Sequence, residues 1–172
     1  VLVQPFLIHY DVRTALFGVY QAPLRLVAVV SALLAMRAAR RLGVPALLNL
    51  ACVVILIGYL GLGGVATLAA FSFFVLPSIA QGLTRPTIDT YLNHRIPSGQ
   101  RATVLSAMQL CFALQVALFE PALGWLTDGL SLSAAFFFAA LYFVLLMPPL
   151  LLLWRRARGE SVALSAPAAA AP

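Results

Sequence analysis

The chain has no lysine, two histidines, two cysteines and five acidic residues among its 172. Each shortage excludes something. Charged residues make up 9% of the sequence and apolar residues 63%, where soluble domains carry about 25% and about 45–50%. At a mean hydropathy of +1.01 there is too little polar surface to cover a globule in water. Lipid is the expected solvent. Cys52 and Cys111 each fall inside an apolar run, which argues against a disulfide framework and for small packed hydrophobes. His9 and His94 lie far apart with no carboxylate cluster, so no metal site follows from spacing. No P-loop, G-x-S-x-G, H-E-x-x-H or repeated Asp motif occurs. Asp89 and His94 are five residues apart and share a helix face poorly. The expectation is no enzyme, no cofactor and no metal. Residues 1–10 also lack the basic start and small-residue cleavage site of a secretory signal.

What is present is apolar runs separated by arginine. The net charge of +6 comes from eleven arginines, most of them in short clusters between the runs rather than along one polar face, which excludes a nucleic-acid partner. Five segments are long enough for a helix to cross a bilayer, at about 15–36, 45–62, 65–92, 102–126 and 132–154. The expected fold is all-α, a polytopic bundle of five full transmembrane helices plus the end of a sixth. Its partner would be the lipid bilayer. The third segment is too long for one straight helix, and Pro77 and Pro86 predict kinks in it.

The loops set an orientation. Arg37, Arg40 and Arg41 follow the first segment, Arg95 and Arg101 the third, and Arg155, Arg156 and Arg158 the fifth, all on one side. The other side has only Arg13, beside Asp11, while Arg25 and Arg85 fall within segments. That asymmetry predicts a multi-pass protein of the inner (plasma) membrane with the arginine loops and the C-terminus in the cytoplasm. Residues 1–156 then form the helical bundle, and 157–172, rich in Ala and Pro, a disordered cytoplasmic tail. "VLVQPFLIHY" is apolar but too short to span, and reads as the outer end of a helix whose inner half is missing. Such a chain is expected to be a fragment.

Three stretches add a resemblance. "ALLAMRAARRLG" keeps the basic residues Arg37, Arg40 and Arg41 of a G-x-x-x-D-R-x-G-R-R loop pattern, with Ala32, Met36 and Ala39 at its Gly, Asp and Gly positions. "RPTIDTYLNHRIPSGQRATVLS" looks like the end of a tenth helix and the loop into an eleventh, and "EPALGWLTDGLS" like the outer end of that eleventh helix. Together with the span count and the basic inner loops, the chain resembles the C-terminal half of a major facilitator superfamily transporter, from the end of the seventh helix to the twelfth. The resemblance implies alternating access, a missing N-terminal six-helix half as partner and a small-molecule solute as cargo. Efflux of a hydrophobic or cationic organic solute, by ion or proton coupling in a bacterial membrane, is the expected activity. The alternative is an inactive fragment or a non-transporting membrane subunit that needs a partner half.

A few polar residues stand out against this background. Gln81, Arg85, Asp89 and Asn93 recur every four residues and form one helical stripe, either a gate or an interfacial ion pair where the helix emerges. Counted from Val65, Arg85 would lie about 30 Å along the helix, near the basic side, which favours a structural or gating role over substrate contact. Arg25 falls near the bilayer middle, where a charge is costly unless it meets a wet cavity or a partner. Glu120, before Pro121, is a candidate proton-carrying carboxylate. For both, the other reading is a mutual or interfacial salt bridge. Gln109 lies on the broad side of Ser106 and Ala113. The substrate-cavity candidates are therefore Arg25, Gln109 and Glu120. Gly58, Gly61 and Gly64, with Ala113, Ala117 and Gly124, fit the small-residue spacing that lets helices pack closely, although taken singly each is what the general abundance of Gly and Ala in membrane helices predicts. Ser98 is a candidate N-cap.

Overall fold

A computed structural model describes the backbone of residues 2–165 and their side chains except at 94, 155 and 157–165. Among the described residues there are helices and turns and no strand, as an all-α chain requires. Five segments are long and apolar enough to cross a membrane: Thr14–Leu42, Val44–Gly64, Leu68–Asn93, Ser98–Gly129 and Leu132–Trp154. The chain is a multi-pass helical membrane protein. Its helices are α1 (Val3–His9), α2 (Phe17–Leu42), α3 (Val44–Gly64), α4 (Val75–Arg95), α5 (Ser98–Gly129) and α6 (Leu132–Ser165).

The connections are short, so successive long helices run antiparallel. Gly43 turns α2 into α3 at φ +78°, a conformation that side chains with a Cβ rarely adopt, and its N–H meets the Ala39 carbonyl at 2.9 Å. Pro45 then sits in the first turn of α3, where its missing donor costs nothing. At the start of α6, Ser131 Oγ accepts the Ala134 N–H at 3.1 Å, a side-chain cap. The expected cap at Ser98 is not formed. Helix α5 begins at Ser98 itself, after Pro97, with no side-chain cap bond. The Pro97 carbonyl takes the Gln100 N–H at 3.0 Å instead.

The third span differs from the expected doubly kinked helix. Residues 65–67 lie outside any helix, Leu68–Phe74 winds as a 3-10 helix, and only then does α4 begin. Pro77 thus falls in the first turn of α4, and Pro86 is the interior proline. Three residues per turn bring positions i and i+3 into line. Phe71 and Phe74 therefore share a face, with ring centroids 5.4 Å apart, and both reach Phe6 of α1, at 6.1 and 5.5 Å. Phe136 of α6 closes the group, 5.8 Å from Phe74. Short as it is, α1 buries one face deeply: Phe6 and Leu7 are 1% and 0% exposed. The aromatic core sits at the end of the bundle opposite the arginine loops.

The long helices pack in the row α2, α4, α3, α6, α5, and α1 touches both α2 and α6. Glycines set the closest approaches. A Cβ on Gly82 of α4 would collide with the backbone carbonyl of Ala28 in α2, and one on Gly58 of α3 would come 2.8 Å from Pro77 Cδ. At the basic end, Tyr91 of α4 meets Trp154 of α6 edge-on at 5.9 Å, and the Arg95 guanidinium lies over the Tyr91 ring at 5.1 Å, a cation–π contact. Helix α6 continues through Ser165, so 157–165 of the expected tail is helical. Residues up to 165 include Ala, Arg, Leu and Glu, which favour helix, and no proline after Pro149. Residues 166–172 of that expected tail lie outside the described residues.

Candidate functional site

Helices α2 and α5 form the two ends of the row and make no extended contact with one another. Each has a stripe facing its neighbour, a stripe of large apolar residues and a third, largely uncovered stripe. On α5 the packed stripe runs through Leu105, Met108, Val116, Phe119 and Leu123, and Leu123 is its one fully buried residue. Leu110, Leu114, Leu118 and Trp125 form the large apolar face, 55–78% exposed. The third stripe is small or polar: Ser106, Gln109, Ala113, Ala117, Glu120 and Gly124, all exposed. Their spacing of three or four residues puts them on one side of the helix.

Helix α2 repeats the arrangement. Leu24, Ser31 and Ala35 are buried toward α4, and Val19, Leu26, Val30 and Leu33 are exposed to the surroundings. Between these runs a stripe of Gly18, Ala22, Arg25, Val29, Ala32 and Met36, exposed except at half-buried Ala32, in which Arg25 is the only charge. Arg25 stands about 22 Å along the helix from Arg40 and about 16 Å from Thr14, close to mid-span. Among the described residues it makes no ion pair with Glu120 or any other carboxylate. The mutual salt bridge is therefore not formed in this conformation.

The α4 stripe is placed by the Gly82–Ala28 contact. Gln81 lies level with Ala28 and so within a turn of Arg25's level. Gln81, Arg85 and Asn93 are exposed and Asp89 is half-buried. Arg85 and Asp89 form no ion pair among the described residues. The Asn93 carbonyl accepts from Arg101 Nη2 at 3.0 Å, which clips the start of α5 to the end of α4. Arg85 sits about 15 Å along the helix from Arg95. Thr84 and Thr87 on the same helix turn their hydroxyls back to the carbonyls of Ala80 and Leu83, at 2.8 and 2.7 Å, so neither offers a free donor.

Arg37, Arg40 and Arg41 are all exposed on the last turns of α2, where positive charge complements the helix dipole. The structure thus brings Arg25 and Gln81 to neighbouring levels on packed helices and Gln109 with Glu120 onto one stripe. It joins no two of the candidates directly. A cleft of about 520 Å³ lies elsewhere, between α3 and α6, and no candidate residue lines it. Sequence reasoning missed that cleft, and with it Asn49, whose signal was that it interrupts an otherwise apolar α3.

Compared with known proteins, the chain matches no family model, no curated protein and no solved structure.

Proposed function

We propose that this chain is one half of a facilitator-type secondary transporter, working by alternating access in a bacterial inner membrane with its arginine loops in the cytoplasm. The observation that carries the reading is the paired uncovered stripes of α2 and α5. Large apolar residues suit lipid, whereas the small and polar residues around Glu120 on α5, and Gly18 and Ala22 before Arg25 on α2, suit a second helical body that approaches closely and slides. A lone arginine and a lone glutamate facing hydrocarbon would each be costly; facing a wet cavity between two halves they are not. The partner is a complementary six-helix half. The cargo is a small organic solute, hydrophobic or cationic, exported by ion or proton coupling with no chemistry on it.

Efflux of ethidium from cells tests this. Cells that express the chain together with a complementary N-terminal half should accumulate less dye than cells with either half alone. Arg25→Ala should abolish the difference while the protein still inserts at normal levels. Unchanged export by Arg25→Ala removes Arg25 from the pathway. Equal accumulation with and without the chain rejects transport and favours a non-transporting membrane subunit.

A further inference from the structure

The α3–α6 interface is closed at one end and open at the other. At the closed end Gly63 leaves room for Phe137, whose ring would be 3.1 Å from a Cβ there, and Tyr59 lies 6.5 and 5.7 Å from Phe136 and Phe143. Toward the basic end the two helices leave the cleft of about 520 Å³, with Asn49, Cys52 and Leu56 of α3 opposite Phe143, Met147 and Leu151 of α6. Pro148 lies in its wall. With Pro149 it removes the two N–H groups that would meet the carbonyls of Val144 and Leu145.

Three features of the cleft agree on one occupant. Its walls are apolar and its size is that of a small-ligand site, so in a bilayer it takes up hydrocarbon. Asn49 is half-buried, about 8 Å in from the start of α3, and its side chain has no hydrogen-bond partner among the described residues; a polar group at that depth needs one. Finally, Val144, Pro148 and Leu152 line the cleft at four-residue intervals, and the next position on that stripe is Arg156, which is exposed. Arg155 follows Leu151 in the same register. Arg40 and Arg41 stand at the same end of the bundle, just before α3 begins.

We propose that the α3–α6 cleft is a binding site for an anionic glycerophospholipid from the leaflet on the basic side. One acyl chain lies in the cleft, the Asn49 amide donates to an ester carbonyl, and the phosphate meets Arg156. The site does not depend on the transport reading and is tested without it.

Tryptophan quenching by dibrominated lipids supplies the test. The full chain carrying Trp125→Phe and Trp154→Phe is reconstituted with a reporter at the cleft rim, Leu152→Trp, or on the bare face of α5, Leu118→Trp. Phosphatidylcholine vesicles contain either dibromo-phosphatidylglycerol or dibromo-phosphatidylcholine. One engaged arginine predicts about fivefold preference for phosphatidylglycerol at the cleft and none at position 118. Arg155→Gln with Arg156→Gln should abolish the preference, and Val53→Phe, which fills the cleft, should remove it with the arginines intact. Asn49→Leu should weaken retention of both lipids at the cleft. Equal preference at the two reporters means ordinary boundary lipid and overturns the proposal, as does a preference that survives Val53→Phe. Dye or solute displacing the lipid from the cleft reporter at equal affinity would make the cleft a cargo site and overturn it as well.

Discussion

Gly82 shows how little separates a packed helix pair from a broken one. It lies where α4 presses on α2, and the atom a new Cβ would meet is the backbone carbonyl of Ala28, which cannot rotate aside, with Ser31 Cβ 2.8 Å away. Gly82→Ala should therefore force the helices apart and cost about 1–3 kcal/mol, the range of an overpacked core. Thermal unfolding in detergent measures it. Gly64→Ala is the control, because nothing lies within 4 Å of a Cβ there; its midpoint should stay within about 0.5 kcal/mol of the parent's. An equal loss in both would mean that helix contact at Gly82 is not what the substitution disturbs. Arg25 poses the opposite kind of question. Its side chain is exposed and makes no ion pair among the described residues, so Arg25→Ala should leave insertion and stability intact and act on transport alone.

At the scale of elements, the spans were legible because length and hydropathy suffice for them: all five expected segments overlap the five observed ones. Punctuation was harder to read. Pro77 and Ser98 both carry the right local chemistry for a kink and a cap, yet each falls one step from where it would act. Packing decided Pro77, since the aromatic contacts of Phe71 and Phe74 with Phe6 require three residues per turn before α4 begins. At Ser98, Pro97 already occupies the position before the first helical residue. Ser131 does act as a cap, and Ser131→Ala should cost about 1 kcal/mol by leaving the Ala134 N–H without its acceptor. A shift in the thermal midpoint that Ser131→Asp restores would identify the cap as the cause; no shift would show that the α1 and α3 contacts hold the start of α6 without it. The candidate site was legible only as residues of unusual polarity. Which stripe of α2 or α5 each occupies relative to a neighbour depends on the order of helices in the row, and no local pattern encodes that order.

The whole molecule is a row of helices with two uncovered ends. That geometry separates stability from function in a testable way. Gly124→Leu adds bulk to the open stripe of α5, where nothing lies within 4 Å of a Cβ. It should leave unfolding unchanged and reduce dye export with the complementary half, because a sliding contact needs small residues; export at the parent level would mean that this stripe faces lipid. The orientation of the row rests on charge alone, with eight of eleven arginines at one end. A single cysteine can be placed at either end after Cys52→Ala and Cys111→Ala. Gly99 and Gly129 lie at opposite ends of α5 with no neighbour within 4 Å, so both tolerate the change. In intact cells a membrane-impermeant maleimide should label Gly129→Cys and reach Gly99→Cys only after permeabilisation. The reverse pattern would put the arginine end outside and move the anionic-lipid cleft to the other leaflet. It would also turn Arg85, which lies on the arginine-loop side of mid-span, toward the outer mouth of any pathway.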